Sequence, residues 1–492
     1  MVDYAHLNVG RKFMIIDGEE CESRDGKYFS VESPIVRNFS IAELPCATLE
    51  DVNHSVESAH KAWGIWGKMK AADRRQIMLK IADELEKHTE EIAWLLAIET
   101  GNAMSTNSRP ESLKAPDVFR FFGGLAQEMK GFTLPVGEGL FSYTRREPLG
   151  VVAAITPWNA PVATGCIKVA PALAMGNCVV IKAASTAPLA MLKVVEICNK
   201  HLPPGVLNMI SGSGRVCGKA LAEHPLVRHI TFTGSTDVGR ELMKVGAQRI
   251  VPATMELGGK SPQIVFPDVE ITDKLMNTIA ANAGLFRAGQ VCVAGTRIFV
   301  HKDIEEKFLA AFCERLKTIK VGNPLDESTE CGAIVDRQQF ETVCGYIEEG
   351  IKEAGRQPIV GGLPVKPELL EGYYIEPTLF EHADNKWKIS QEEIFGPVIV
   401  EIPWETEEEV IAMANDTKYG LSSYVYTNNI DKAIKTANAI EAGAVQINGG
   451  AGALLSSPYG GYKESGIGRE YDLESMVESF SQVKNVHVNL AH

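Results

Sequence analysis

The sequence predicts an α/β protein with two domains, each built from alternating strands and helices. The chain has 492 residues, which is more than a single hydrophobic core usually supports. From Gly150 to about Glu256, short strand-like runs alternate with helical stretches, which is typical of a parallel sheet built from βαβ units. A second alternation of the same kind runs from Pro262 to about Gln446. Two α/β domains are therefore expected.

Individual elements follow from the spacing of apolar residues. The N-terminal third is predicted to be helical, because Val52–Trp66 and Asp73–Thr100 repeat apolar residues every three or four positions. The turn-rich segment Gly131–Gly139 then predicts a crossing between domains. Strands are expected in the first alternating region at Gly150–Thr156, Cys178–Lys182, Val206–Ile210, Val227–Phe232 and Val251–Leu257. The second region is expected to contain strands Arg297–His301 and Ile399–Ile402 and helices Ile304–Ile319 and Gln338–Ala354.

Composition and charge narrow the class of protein. The net charge of −14 argues against a nucleic-acid partner or an anionic membrane, because both surfaces would repel the chain. No apolar run has the length of a membrane span, and the N-terminus does not have the pattern of a signal peptide. The ten cysteines show no metal-ligand spacing, so no metal is expected. Free thiols suit a reducing compartment, which makes the cytoplasm the expected location.

Two motifs contain groups suited to nucleophilic and general-base chemistry. In Gly289–Arg297 (GQVCVAGTR), Cys292 lies among glycines and small residues, where a substrate can approach closely. A single cysteine is more often a buried apolar residue, so Cys292 needs partners before it can be called a nucleophile. In Met255–Pro262 (MELGGKSP), Glu256 ends a predicted strand and precedes two glycines. A carboxylate in an apolar segment is costly unless it has a function, although a solvated loop glutamate fits equally well.

Two further motifs follow predicted strands. Asn159 in Ile155–Asn159 (ITPWN) could donate an amide hydrogen to a developing oxyanion, although asparagine at a turn is more often structural. Phe232–Gly239 (FTGSTDVG) opens a helix whose free N–H groups could bind phosphate. Its spacing is not the usual dinucleotide fingerprint, so this motif alone is weak evidence.

Taken together, and in this order, the four motifs resemble those of the aldehyde dehydrogenase superfamily. The resemblance extends over nearly the whole chain and includes the further motifs VIK, EEIFGPV and PYGGYKESGIGRE at Val180–Lys182, Glu392–Val398 and Pro458–Glu470. It implies a doubly wound NAD(P)-binding domain (1–135 and 150–258), an α/β catalytic domain (259–465) and a small β oligomerisation flap (136–149 and 478–492). Leu140–Arg146 and the alternating tail Gln482–Leu490 are the candidate flap strands. A sheet edge at a chain end usually pairs, so a homodimer or homotetramer is expected.

The resemblance also implies roles for the catalytic residues. Cys292 resembles the nucleophile that attacks an aldehyde, and Asn159 with the Cys292 N–H resembles the oxyanion hole. The adduct would lose a hydride to the nicotinamide and leave a thioester. Glu256 resembles the general base that activates water to hydrolyse this thioester, and Lys168 and Glu470 match a proton relay behind it.

The cofactor implied is NAD or NADP, which would supply the redox chemistry. By resemblance, Lys182 contacts the adenosine ribose, Ser235 the pyrophosphate and Glu393 the nicotinamide ribose, with Trp158 and Phe395 as walls. The residues expected to bind the cofactor are Ile155, Thr156, Pro157, Trp158, Lys182, Ser185, Gly234, Ser235, Glu393 and Phe395. Many NAD-preferring members have a glutamate where this chain has Ser185. Because serine lacks the charge that repels a 2′-phosphate, NADP is not excluded.

The aldehyde itself is less well defined. The residues expected to line its pocket are Ala160, Thr164, Ile167, Phe286, Arg287, Val291, Val293 and Tyr459. Several are small, which favours a bulky apolar or aromatic aldehyde. Arg287 could instead bind the carboxylate of a semialdehyde, or form a salt bridge.

Two further classes of protein share these motifs in part. A CoA-acylating relative transfers the acyl group to CoA rather than to water, and it would generally lack Glu256. A binding or structural protein that keeps the fold without catalysis would be expected to have lost Cys292, Glu256 or Asn159. All three residues are present, which favours the hydrolytic enzyme.

Overall fold

A computed structural model describes residues 4–450 and 452–490. Residues 1–3 of the expected NAD(P)-binding domain, residue 451 of the expected catalytic domain and residues 491–492 of the expected flap lie outside the described residues. The strands are β1 (Met14–Ile16), β2 (Glu19–Cys21), β3 (Tyr28–Glu32), β4 (Ser40–Pro45), β5 (Thr133–Leu134), β6 (Leu140–Pro148), β7 (Val151–Ile155), β8 (Cys178–Lys182), β9 (Leu207–Ile210), β10 (Val227–Thr233), β11 (Ala253–Glu256), β12 (Pro262–Val265), β13 (Arg297–His301), β14 (Thr378–Phe380), β15 (Val398–Trp404), β16 (Tyr419–Gly420), β17 (Ser422–Tyr426), β18 (Ala444–Ile447), β19 (Tyr462–Lys463), β20 (Gly466–Ile467) and β21 (Ser481–Asn489). The α-helices are α1 (Leu49–Trp66), α2 (Ala71–Lys87), α3 (Thr89–Thr100), α4 (Arg109–Ser112), α5 (Lys114–Gly124), α6 (Pro161–Ala174), α7 (Leu189–Asn199), α8 (Lys219–Glu223), α9 (Thr236–Arg249), α10 (Asp273–Asn282), α11 (Glu305–Thr318), α12 (Arg337–Ala354), α13 (Lys388–Gln391), α14 (Glu407–Asn415), α15 (Ile430–Ala439) and α16 (Leu473–Phe480).

The first sheet has the strand order β2-β1-β9-β8-β7-β10-β11-β20. The strands from β7 to β11 pair in parallel, whereas β1, β2 and β20 are antiparallel to their neighbours. The chain adds β8 and β9 on one side of β7 and then β10 and β11 on the other, which is the doubly wound arrangement. In such sheets, ligands bind where the order reverses, outside the carboxyl ends of the strands. Here that point lies between β7 and β10.

The second sheet is entirely parallel and has the order β14-β15-β13-β12-β17-β18. Each sheet has a hydrophobic core of its own, since the buried apolar residues fall into one large cluster around each. Central strands such as β8 and β13 are buried along almost their whole length, as parallel strands covered by helices on both faces must be. The expected α/β class with a doubly wound domain is confirmed.

The two predicted flap segments pair with each other in a third sheet. The ladder between β21 and β6 runs from the pair Ser481–Pro148 to the pair Asn489–Leu140, and β5 lies on the other side of β6. Along the described part of the chain, the outer edge of β21 has no partner strand. Val483 is 58% exposed there and Val488 is 40% exposed. The β pairing of the tail is confirmed, and its role in oligomerisation stays a prediction.

The expectation of an all-helical N-terminal third is wrong for the segment before Thr48. Strands β1 to β4 lie there, and β1 and β2 form one edge of the first sheet. Helix α1 begins only at Leu49, where the Thr48 side chain and Asp51 form a capping box. The long helical run is also divided, because the backbone at His88 leaves helical geometry between α2 and α3. Among residues 4–450 and 452–490, no helix combines the length and apolar character that a membrane span requires.

Candidate active site

A cavity of about 530 Å³ lies at the carboxyl ends of β7, β10 and β11, and loops that connect strands of the second sheet complete its wall. Cys292, Glu256 and Asn159 all contribute to this wall, although they come from three separate motifs. The other residues singled out in the sequence that line the cavity are Pro157, Trp158, Ala160, Thr164, Gly234, Ser235, Arg287, Val291, Val293, Glu393, Phe395, Tyr459 and Glu470. The fold therefore brings most of the candidate residues together at one place.

Two glycines allow the close approach that joins the motifs. Glu256 is the last residue of β11, where it pairs with Thr233 and Gly466 of the neighbouring strands. A Cβ atom at Gly258 would collide with the carboxylate of Glu393, and one at Gly259 would collide with the backbone oxygen of Cys292. The Cys292 backbone could not move without displacing the nucleophile, so packing requires glycine at 259, and glycine at 258 leaves room for the Glu393 carboxylate.

Asn159 is held in place at the end of β7 by three hydrogen bonds. Its side-chain Nδ2 donates to the Gln290 backbone oxygen at 2.8 Å. Its own backbone oxygen accepts from Asn102 Nδ2 at 3.1 Å and from Arg287 at 3.4 Å. A carboxamide nitrogen has two hydrogens, and this bond uses one of them. The second hydrogen remains for a ligand in the cavity.

The thiol of Cys292 is in an environment that favours its neutral form. Burial raises the pKa of Cys292 to about 12, and the nearby carboxyl groups of Glu393 and Glu256 add to this shift. The Sγ atom lies 3.7 Å from the hydroxyl of Tyr459. Because the thiolate is the reactive species, nucleophilic attack requires that this proton leaves.

Glu256 is a buried carboxyl group without a hydrogen-bond partner. Within the described residues, no donor reaches either of its carboxyl oxygens. Burial raises the pKa of Glu256 well above the usual value, and the negative charge of Glu470 raises it further. The positive charges of Lys168 and Arg469 partly oppose this rise. An unpartnered buried carboxyl group is energetically costly, and such groups are concentrated at functional sites.

An ion pair accompanies Glu256. Lys168 Nζ donates to Glu470 Oε1 at 2.7 Å and to Thr231 Oγ1 at 3.1 Å. Lys168 is fully buried in α6 and does not line the cavity, whereas Glu470 does. Paired backbone hydrogen bonds of 3.0 and 2.8 Å join Glu470 to Tyr459, which approaches the thiol. The pair is therefore linked structurally to both Glu256 and Cys292.

Polar groups at the switch point of the first sheet fit a dinucleotide. Gly234 and Ser235 line the cavity directly before α9, whose first turn has free N–H groups. The hydroxyl of Thr156, at the end of β7, is buried and has no partner among the described residues. The side chain of Lys182, at the end of β8, is likewise buried and makes no hydrogen bond or ion pair to the described residues, and this burial lowers its pKa. Such unpaired donors suit ribose hydroxyls and phosphate oxygens.

Glu393 and two aromatic rings form another part of the cavity wall. Glu393 Oε1 accepts a hydrogen bond of 3.0 Å from the Gly259 N–H, and burial raises the pKa of Glu393 to about 7. The rings of Trp158 and Phe395 meet edge to face with their centroids 5.2 Å apart. Phe395 has a left-handed backbone (φ 56°), and its carbonyl accepts from Gln339. The rings hold each other in position at the cavity wall.

Some candidates lie outside this cavity. Ile167 is buried within α6, and Ile155, Thr156 and Lys182 are buried at the ends of β7 and β8 and do not line the cavity. Phe286 also lies outside it, and its backbone oxygen accepts from Asn107. Ser185 lines a separate cavity of about 350 Å³, and its hydroxyl donates to the Gly212 oxygen at 2.8 Å. That serine hydrogen is therefore already engaged.

Arg287 lines the cavity but is also paired. Its NH1 donates to Glu111 Oε2 at 3.1 Å and its Nε to Asn107 at 2.9 Å. Glu111 is fully buried, and it also accepts from the N–H groups of Val162 and Ala163 at the start of α6. Of the two expectations for Arg287, the structure shows the salt bridge.

Sequence reasoning did not identify Glu111 or Tyr471. Tyr471 also lines the cavity, and its ring lies 5.3 Å from that of Tyr459 between centroids. Its position directly after Glu470 in the last motif is a signal that could have identified it. Glu111 carries no such signal, since its partner Arg287 is 176 residues away along the chain.

A doubly wound sheet whose switch point faces a cavity lined by a cysteine and a buried carboxyl group is the arrangement expected of a dinucleotide-dependent oxidoreductase. The chain belongs to the aldehyde dehydrogenase family, because residues 21–486 match the family model that carries this name. The resemblance seen in the motifs is thereby confirmed, and with it the class of NAD(P)-dependent aldehyde dehydrogenase.

Solved structures give the same result. A betaine aldehyde dehydrogenase from Staphylococcus aureus, in complex with NAD+, is 35% identical with a TM-score of 0.94, over 98% of this chain and 95% of that chain. An NAD-dependent aldehyde dehydrogenase from Sinorhizobium meliloti is 33% identical with a TM-score of 0.94, over 98% of this chain and 95% of that chain. An indole-3-acetaldehyde dehydrogenase from P. syringae is 36% identical with a TM-score of 0.92, over 97% of this chain and 96% of that chain. These neighbours share the fold over almost their whole length.

Proposed function

We propose that this chain oxidises a bulky apolar or aromatic aldehyde to a carboxylic acid with NAD(P)+, through a thioester on Cys292. The observation that carries the proposal is the meeting of Cys292, Glu256 and Asn159 in one cavity. The similarity to an indole-3-acetaldehyde dehydrogenase favours an aromatic substrate. So does the wall itself, which combines the small residues Ala160 and Val291 with aromatic rings.

The proposed chemistry assigns one task to each group. The thiolate of Cys292 attacks the aldehyde carbon, and the second amide hydrogen of Asn159 and the Cys292 N–H donate to the oxyanion. Bound NAD(P)+ supplies the hydride acceptor. Glu256 then accepts a proton from the water that attacks the thioester. The Glu470–Lys168 pair can take that proton onward, because the charge of Glu470 acts on Glu256 and Lys168 is hydrogen-bonded to Glu470 behind the cavity wall that Glu470 lines.

The proposed cofactor site extends from the aldehyde cavity along the carboxyl edge of the first sheet. Lys182 and Thr156 would bind the adenosine ribose, and Gly234 and Ser235 the pyrophosphate at the start of α9. Glu393 would bind the nicotinamide ribose. The remaining proposed contacts to the cofactor are the backbone of Ile155 and Pro157 and the rings of Trp158 and Phe395.

Activity should not depend on CoA, because Glu256 provides for hydrolysis of the thioester. With benzaldehyde or hexanal and NAD+, NADH absorbance should rise at the same rate whether or not CoA is present. Strict dependence on CoA would instead support a CoA-acylating enzyme. No NADH from a panel that also includes succinic semialdehyde would count against the proposed activity.

Cofactor choice is expected to depend on Ser185. Its hydroxyl does not repel a 2′-phosphate, so the wild type is expected to use both NAD and NADP. Ser185→Glu should shift the ratio of kcat/KM values toward NAD by a few kcal/mol at most, since a close charge pair near the surface is worth about 4 kcal/mol before screening. Ser185→Gln, of the same size but uncharged, is the matched control. Rejection of NADP by the wild type by more than about a thousandfold would contradict the argument.

Arg287 is expected to act on all aldehydes alike. Because its guanidinium is paired with Glu111 and Asn107, Arg287→Gln should lower kcat/KM for hexanal and succinic semialdehyde by similar factors. The measurement is the ratio of the two values in the wild type and in the variant. A selective loss of the semialdehyde would instead show that Arg287 binds its carboxylate, which favours a semialdehyde dehydrogenase.

The assembly proposed is a homodimer or homotetramer formed through the free edge of β21, and the location proposed is the cytoplasm. Within this scheme the proposed domains are 1–135 with 150–258 for NAD(P), 259–465 for catalysis, and 136–149 with 478–492 for the flap. Light scattering after gel filtration tests the assembly. Val488→Lys should shift the mass toward the monomer.

A further inference from the structure

A second group of ionisable side chains lies in the domain of the second sheet, outside the cavity just described. Glu305 is the first residue of α11, His382 follows β14, and Glu401 lies in the middle of β15. One ligand atom from each residue lies within 4.8 Å of those of the other two. Three separate segments of the chain therefore direct side chains capable of metal binding to one point.

Glu401 has a buried carboxyl group that lacks a partner for one of its oxygens within the described part of the chain. Its side chain is completely buried in the sheet. One carboxyl oxygen accepts the backbone N–H of His382 at 3.0 Å, and the other has no partner among the described residues. Burial raises the pKa of Glu401 to about 8, and Glu305 and Glu381 add to the shift. A buried, unpartnered carboxyl oxygen is costly unless something binds it.

The contact between His382 and Glu305 is close but is not a hydrogen bond. Nδ1 of His382 lies 2.8 Å from Oε1 of Glu305. That oxygen nevertheless has no hydrogen-bond donor among the described residues, so the ring N–H does not point along the line between the two atoms. Nδ1 of His382 and Oε1 of Glu305 are therefore close without a hydrogen bond between them. Each can direct a lone pair toward a third atom that lies beside both.

No strong cation compensates the two carboxylates among the described residues. Arg356, which lies close by, is paired with Glu381 at 3.4 Å, and Lys302 is paired with Glu405. His382 is half-exposed, with 51% of its side chain accessible, so the group opens to solvent on one side. Water can therefore complete a coordination shell around an ion placed there.

We propose that Glu305, His382 and Glu401 bind a divalent first-row transition-metal ion, with water as the remaining ligand. Imidazole and carboxylate are ligands for such ions, and zinc binds both at about 2.0–2.2 Å. Tetrahedral bonds of that length place ligand atoms about 3.4 Å apart, so small side-chain rotations suffice. The ion would tie the start of α11 and the loop after β14 to the centre of β15. Because it binds only the folded chain, it would stabilise the fold.

The test uses zinc as the probe and binding as the readout, so it is independent of aldehyde oxidation. The wild type and the variants His382→Asn and Glu401→Gln are first treated with a chelator and then dialysed against micromolar zinc. The wild type should then contain one more zinc ion per chain than either variant. Affinity at this site should fall at least about a hundredfold in both, since even the outer partners of metal ligands are worth about 10–100-fold. Zinc should also raise the Tm of the wild type but not of the variants. Zinc bound by cysteines should be the same in the wild type and in both variants, so it does not affect the difference in zinc content between them.

Glu381→Gln is the matched control, because it removes a neighbouring carboxylate that is outside the group. It should bind zinc as the wild type does. Equal zinc content in the wild type and both variants would overturn the proposal, as would a wild type that retains none. Should Glu401→Gln fail to fold, His382→Asn alone decides, because that side chain is half-exposed and its loss leaves the core intact.

Discussion

Replacing Cys292 with alanine is expected to lower kcat for aldehyde oxidation by about 10⁴-fold or more, since loss of a nucleophile removes the covalent route altogether. The Sγ atom lines the cavity beside Glu256 and Asn159, and no other cysteine among the described residues does. Steady-state NADH production with a saturating aromatic aldehyde is the measurement.

Cys344→Ala provides the matched control, because this half-buried thiol lies outside the cavity. It should leave kcat unchanged. NAD binding, followed by quenching of tryptophan fluorescence, should persist in Cys292→Ala, which separates chemical loss from loss of structure. Activity within tenfold of the wild type would disprove the thioester mechanism.

Replacing Glu256 with glutamine should lower steady-state turnover by about 10²–10⁴-fold, the usual cost of losing a general base. Glutamine keeps the size of the side chain and removes only its ability to accept a proton. Because Glu256 is assigned to hydrolysis, a rapid-mixing experiment should show that the first NADH turnover survives better than the following ones. Equal loss of both phases would mean that Glu256 also takes the proton from Cys292.

The pH dependence gives an independent check on the same residue. Burial and the negative charge of Glu470 raise the pKa of Glu256, so the ionised form that can act as a base is populated only at a higher pH than for an ordinary carboxyl group. Turnover in the wild type should therefore increase with pH. In Glu256→Gln, the part of that increase that arises from hydrolysis should be absent. Unimpaired turnover at any pH would rule out the role.

The sequence predicted the interior of the fold better than its edges. Cys178–Lys182 and Arg297–His301 were expected as strands with the same bounds that they have in the structure. Such central parallel strands are mostly apolar and are bounded by turns, so they are recognisable in the sequence. Strands β1 and β2 are three residues each, too short for a periodic pattern, and only pairing at the sheet edge defines them.

The candidate site divides in the same way. Cys292, Glu256 and Asn159 were recognisable because each lies in a short motif with glycine or proline, where local geometry limits the sequence. The environment of these groups was not predictable. The raised pKa of Cys292 and the pairing of Arg287 with Glu111 depend on residues far apart along the chain. The group of Glu305, His382 and Glu401 belongs to no motif, since three separate elements assemble it.

The short connection between β11 and β12 has a consequence for how the length of this chain can vary. Only residues 257–261 separate the strand that ends at Glu256 from the strand that begins at Pro262. Gly259 packs on the Cys292 backbone within this span. An insertion of even one residue there would shift the base relative to the nucleophile without exposing either core. Such a variant would remain folded but inactive, whereas insertions in the loop at 363–366 should leave both folding and activity intact.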